Sequence, residues 1–153
     1  MKNFNKFLMF MAICSFTLLS CKKECKHDCV KTKNGLTLSG LQEVPQRETR
    51  ATGTLNVSYD KCTKTLKYTV WWKDLTGIPV GSHIHGTAPR GVNAPVKHDF
   101  TALLPKAISG TFSNSVVVDN VAINADSLLK GFYYLNIHTP KFPGGEIRGQ
   151  IEF

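Results

Sequence analysis

"TGTLNVSYDKCTKTLKYTVWW", residues 52–72, decides the fold. Its first half places Leu55, Val57 and Tyr59 on one side of an extended chain, and Thr54, Asn56 and Ser58 on the other. Its second half repeats the rule with Leu66, Tyr68, Val70 and Trp72. Side chains alternate across a strand, so this period of two predicts two strands that each bury one face. The connector "YDKCTKT" predicts a hairpin turn with Cys62 at its tip. Trp71 and Trp72 are adjacent and cannot both face inward, so one of them is expected at the surface.

The rest of the chain follows the same pattern. From Gly35 to Phe153, Gly, Pro, Asn or Asp interrupts short alternating runs every eight to twelve residues. That spacing predicts an all-β antiparallel sandwich. "SGTFSNSVVVD" reads as further strand, and "FYYLNIHT" and "GEIRGQIEF" as two closing strands joined by "PKFPGG". "NADSLLKG" predicts one short helical turn, capped by Asn124 or Asp126 and stopped by Gly131.

The chain has 153 residues and a formal net charge of +8. That length bounds it to one folded domain once a processed segment is removed. Lys2 and Lys6 precede an apolar run at residues 7–19. The run is shorter than the ~20 residues that span a bilayer, and fits a signal peptide. "LLSC", Leu18 to Cys21, resembles a bacterial lipobox and implies that Cys21 carries lipid. The expected organisation is a signal peptide over 1–20, a lipidated basic tether over 21–34, and the sandwich over 35–153. Taking Lys2 and Lys6 from 19 basic residues leaves 17 against 11 acidic ones, a net +6. "KKECKHDCVKTK", residues 22–33, sets five Lys against one Glu and one Asp and so holds half of that excess beside the lipid. The expected location is therefore the bacterial cell envelope, outside the cytoplasm and anchored to the membrane. Of the five cysteines, Cys25, Cys29 and Cys62 remain for at most one disulfide. Cys25–Cys29 is the easiest closure, whereas either of them with Cys62 would pin the tether to the domain.

Alternation also selects the polar residues. In "SHIH" Ile84 faces the core, so His83 and His85 face outward. In "YLNIH" Leu135 and Ile137 face the core, which turns Asn136 and His138 outward. In "EIRGQIEF" the outward set is Glu146, Arg148, Gln150 and Glu152. If these strands are neighbours, the histidines form a cluster on the solvent side of the sheet. His98 shares its parity with Val96 and Phe100 and joins that set only through a bulge or loop. Neutral imidazole suits copper or zinc, and three histidines with an open position make a workable site. Asp99, Asn136 or Glu146 would fix the rings as hydrogen-bond acceptors. The alternative is structural, with the histidines bonding loop backbone and holding Gly/Pro-rich connections in place.

"GLQEVPQRETRATGTLNVSYD", "HIHGTAPRGVNAPV" and "GFYYLNIHTPKFPGGEIRGQI" together resemble the CHRD domain family, over about Leu36 to Phe153. The resemblance implies an immunoglobulin-like β-sandwich and no particular activity. A weaker similarity is to the Cu/Zn superoxide dismutase-like sandwich. It sets His83 and His85 as an H-x-H pair, His98 as the loop histidine, His138 as the fourth, and Arg148 as an anion guide. "DFTALLPKAISGTF" then offers no further histidine for zinc, and "TPKFPGG" is short, so dismutase activity is not implied. No G-x-S-x-G, phosphate loop or carboxylate pair appears, and no basic–aromatic interleaving suggests nucleic acid. The expectation is a non-catalytic binding or structural module whose protein or glycan ligand the sequence does not identify. A copper- or zinc-binding envelope protein is the alternative.

Overall fold

The computed structural model describes residues 29–153. Lipidation at Cys21, the signal peptide and Cys25 lie outside these residues. The strands are β1 (Val30–Ser39), β2 (Thr52–Asp60), β3 (Thr65–Lys73), β4 (Gly81–Gly86), β5 (Val96–Asp99), β6 (Gly110–Val117), β7 (Tyr133–His138) and β8 (Ile147–Ile151). One helical turn, α1 (Ala125–Leu129), precedes β7. All eight strands join in one sheet of order β5-β4-β7-β8-β1-β2-β3-β6.

The sheet folds back on itself where β8 meets β1, a seam whose register holds the single pair Ser39↔Arg148. Two four-stranded halves thereby face each other across one core, giving the all-β sandwich. Leu55, Val57, Tyr59, Leu66, Tyr68, Val70 and Trp72 fill the core from β2 and β3. Ile84, Leu135, Ile137, Ile147 and Ile151 fill it from β4, β7 and β8. At the far edges, Phe100 beyond β5 stacks on Phe112 of β6 at 5.8 Å, so aromatic rings bridge the two ends of the sheet. Burial of this apolar set is the dominant stabilising contribution.

Local chemistry sets the ends. The Asn124 side chain accepts from Ser127 N–H at 3.0 Å to start α1, and Gly131 ends the turn at φ +75, a conformation glycine adopts without strain. Trp72 is buried and donates through Nε1 to the Ala107 carbonyl, while Trp71 is the exposed one at 41 %. β1 already begins at Val30, inside the stretch read as tether. Cys29 pairs with Cys62 at a Cα–Cα distance of 5.7 Å, tying the start of β1 to the β2–β3 turn.

Candidate metal site

β4, β7 and β8 lie side by side, with His83 opposite Asn136 and Asn136 opposite Arg148. The non-core parity therefore gathers His83, His85, Tyr134, Asn136, His138, Arg148 and Gln150 on one wall. His138 stands opposite Gly81. A Cβ at Gly81 would come within 3.2 Å of its ring, so glycine leaves the imidazole room to swing toward His83.

That wall is not solvent-facing as alternation suggests. Arg148 is 1 % exposed, Glu146 and Gln150 are buried, and His85 and His138 are each 9 % exposed. Loop backbone covers them. Arg148 donates to the Val92 carbonyl at 2.9 Å and to Asn93 Oδ1 at 3.3 Å, and lies 3.4 Å over the Tyr134 ring. Gln150 donates to the Ala88 and Gly131 carbonyls. Arg148 is thus a buried strut for the 87–95 loop rather than a guide for anions. Glu146 is placed away from the imidazoles. Its carboxylate accepts from the Thr49, Thr76 and Thr139 hydroxyls and from Thr76 N–H.

Three imidazoles converge. One ring nitrogen from each of His83, His85 and His138 lies within 4.8 Å of the others. His83 Nδ1 is 3.1 Å from His138 Nε2. Asn136 Oδ1 lies 3.0 Å from His138 Nε2 and 3.1 Å from His85 Nε2. The opposite nitrogens define the tautomers. His85 Nδ1 is 2.8 Å from the Ala94 carbonyl, and His138 Nδ1 is 2.8 Å from the Pro143 carbonyl. A carbonyl only accepts, so both Nδ1 atoms carry hydrogen and both neutral Nε2 atoms turn lone pairs inward. His83 Nε2 faces Asp99 at 3.8 Å.

The surroundings keep these rings neutral. Burial lowers the pKa of His83, and the neighbouring His138 lowers it further, against the pull of Asp99. Burial likewise lowers His85 and His138, opposed by their bonds to Ala94 and Pro143. His85 also stacks on Tyr134 at 4.7 Å with an interplanar angle of 2°, and the Arg148 cation beyond that ring disfavours a second charge.

His98 does not join them. It stands opposite Ile84 in the register, on the core parity, and its Nε2 meets the Tyr68 hydroxyl at 3.1 Å. Glu43 is the polar residue that strand parity missed, because it follows a 3-10 turn (Gly40–Gln42) and belongs to no strand. It is 3 % exposed, its carboxyl hydrogen-bonds the Asn136 side chain, and burial pushes its pKa up to about 7 against the opposing pull of Arg148 and Arg47. A charged residue in "LQEVP", close to Leu41, Val44 and Pro45, is the only signal the sequence holds for it.

A profile of the CHRD domain matches residues 35–151. No curated protein and no solved structure matches the chain significantly.

Proposed function

The chain belongs to the CHRD domain family, and from that premise we propose that it is a non-catalytic binding module of the bacterial cell envelope whose ligand is a copper or zinc ion. His83, His85 and His138 are the ligands, and Cys21 carries the lipid that holds the domain at the membrane. The observation that supports this most is the hydrogen-bond polarity of the cluster. Backbone carbonyls take the outer N–H of His85 and His138, which leaves inner lone pairs aimed at a common point. Outer-shell acceptors of this kind orient histidines in metal sites and raise their basicity.

The test uses the full chain in detergent with its free thiols alkylated, titrated calorimetrically with Cu(II) and Zn(II). One ion per chain, lost in His85→Ala and His138→Ala, is the expected result. Affinity weaker than about 1 μM, roughly −8 kcal/mol, or binding indifferent to both substitutions, would remove the metal from the reading. The same carbonyl bonds favour a second reading, in which the histidines stitch the 86–95 and 139–146 loops to the sheet. Under it, both substitutions lower stability and no ion binds. The anchor is tested separately: Cys21→Ser should move the protein from the membrane to the soluble fraction of cells, and an unchanged distribution would refute lipidation.

A further inference from the structure

Resting on the metal reading above, we infer that the Asn136 side-chain oxygen is a fourth ligand and that the site is built for tetragonal copper(II) rather than tetrahedral zinc. The four inward atoms form a sequence, His83 Nδ1, His138 Nε2, Asn136 Oδ1 and His85 Nε2, with successive separations of 3.1, 3.0 and 3.1 Å. Metal–nitrogen bonds are about 2.0–2.1 Å long, so tetrahedral neighbours lie about 3.3 Å apart and right-angled neighbours about 2.9 Å apart. The three observed edges correspond to ligand–metal–ligand angles of about 91–102°, on average closer to a right angle than to the tetrahedral angle. Tetragonal N,O geometry is the preference of Cu(II), which also forms the most stable divalent complexes of this series.

The proton count points the same way. With Nδ1–H of His85 and His138 spent on carbonyls, the neutral cluster has at most one inward hydrogen, on His83 Nδ1. Asn136 Oδ1 then faces two imidazole lone pairs with no hydrogen between them. Rotating the amide would offer N–H to both rings. It would also turn the oxygen toward Glu43, whose buried carboxyl donates to it when protonated, so the metal-free cluster is satisfied with the amide rotated. A cation among the four atoms is what holds the amide oxygen inward, between the two imidazole lone pairs.

The experiment is electron paramagnetic resonance of the Cu(II)-loaded full chain, thiols alkylated, with the visible spectrum of the Co(II)-loaded form beside it. Expected are an axial tetragonal copper spectrum with three coupled nitrogens and weak cobalt bands. Asn136→Ala should change the copper hyperfine splitting as well as weaken Cu(II) binding, by at least the roughly 10–100-fold that loss of an outer-shell partner costs, and Asn136→Asp, which keeps an oxygen, should restore the axial form. Intense tetrahedral cobalt bands in the wild-type protein would overturn the inference whether or not the variants fold. So would a copper spectrum and affinity untouched by Asn136→Ala. Failure of the metal reading itself looks different: no ion is retained, or His85→Ala leaves binding unchanged.

Discussion

Replacing Glu43 by Gln tests whether a carboxyl buried behind the histidine wall weakens the fold at neutral pH. Glu43 is 3 % exposed, Oε1 has no partner among the described residues, and its pKa is raised from 4.5 to about 7 by burial, which outweighs the nearby Arg148 and Arg47. Between those two values the unfolded chain has released its proton while the folded one still holds it. The group's contribution to stability is therefore fully present below 4.5 and is lost as pH rises through about 7. At about 1.36 kcal/mol per pH unit, that interval amounts to about 3 kcal/mol. Gln keeps the volume and cannot ionise. Urea unfolding followed by tryptophan fluorescence, in chelator and at pH 5, 6, 7 and 8, should show Glu43→Gln gaining on the parent by about 2–3 kcal/mol toward pH 8. His83, His85, His98 and His138 all have lowered pKa values, so their contribution is present above 6.5 and fades as pH falls. That trend is common to both proteins and cancels in the difference. Parallel stability curves from pH 5 to pH 8 would refute the assigned burial of charge.

Cys62→Ser opens a loop whose ends are 33 residues apart, and chain-entropy scaling gives a loss of about 3.7 kcal/mol; a urea midpoint unmoved from that of the oxidised parent would contradict it. Trp72→Ala should cost about 3–5 kcal/mol and Trp71→Ala under about 1, so equal melting temperatures for the two variants would sink the face assignment. Gly86→Ala drives a Cβ into the Tyr133 ring, whose hydroxyl accepts from Asn124 N–H at the cap of α1; a loss of about 1–3 kcal/mol is expected by thermal unfolding, and wild-type stability would refute the close approach. Because burial lowers the pKa of the three candidate ligand histidines, Cu(II) affinity measured by competition should begin to fall at a lower pH than it does for free imidazole; a decline that tracks free imidazole would show ordinary, solvated rings.

The fold was legible because alternation is a local signal. Leu55 to Tyr59 and Leu66 to Trp72 assign their own faces, and the helical turn carries its cap and stop in "NADSLLKG". Strand order is a long-range property. Nothing in "SHIH", "YLNIH" or "EIRGQI" states that β4, β7 and β8 are neighbours, or that the sheet folds at β8–β1 into one continuous sandwich. The disulfide illustrates the same limit. Spacing favours Cys25 for Cys29, but β1 runs antiparallel to β2 and brings Val30 opposite Asp60, beside the turn that carries Cys62.

The candidate site divides along that line. Parity alone turned His83, His85, Asn136 and His138 to one wall, and parity alone separated His98, which stands opposite Ile84. Parity gave the wrong solvent exposure, because a face without apolar side chains is read as wet. Here the cover is backbone: the carbonyls of Ala88, Val92, Ala94 and Pro143 satisfy buried Arg148, Gln150, His85 and His138. Loop carbonyls leave no trace in residue identity, yet they decide which imidazole nitrogen is free. A histidine that only stitches a loop needs one such bond and is indifferent to its other nitrogen. The second nitrogens of His85 and His138 instead meet one amide oxygen, an arrangement in which acceptor faces acceptor. Buried acceptors without donors are costly, so this amide either turns its nitrogen to both rings or shares a cation with them, and that choice, more than the number of histidines, is what metal binding at this wall decides.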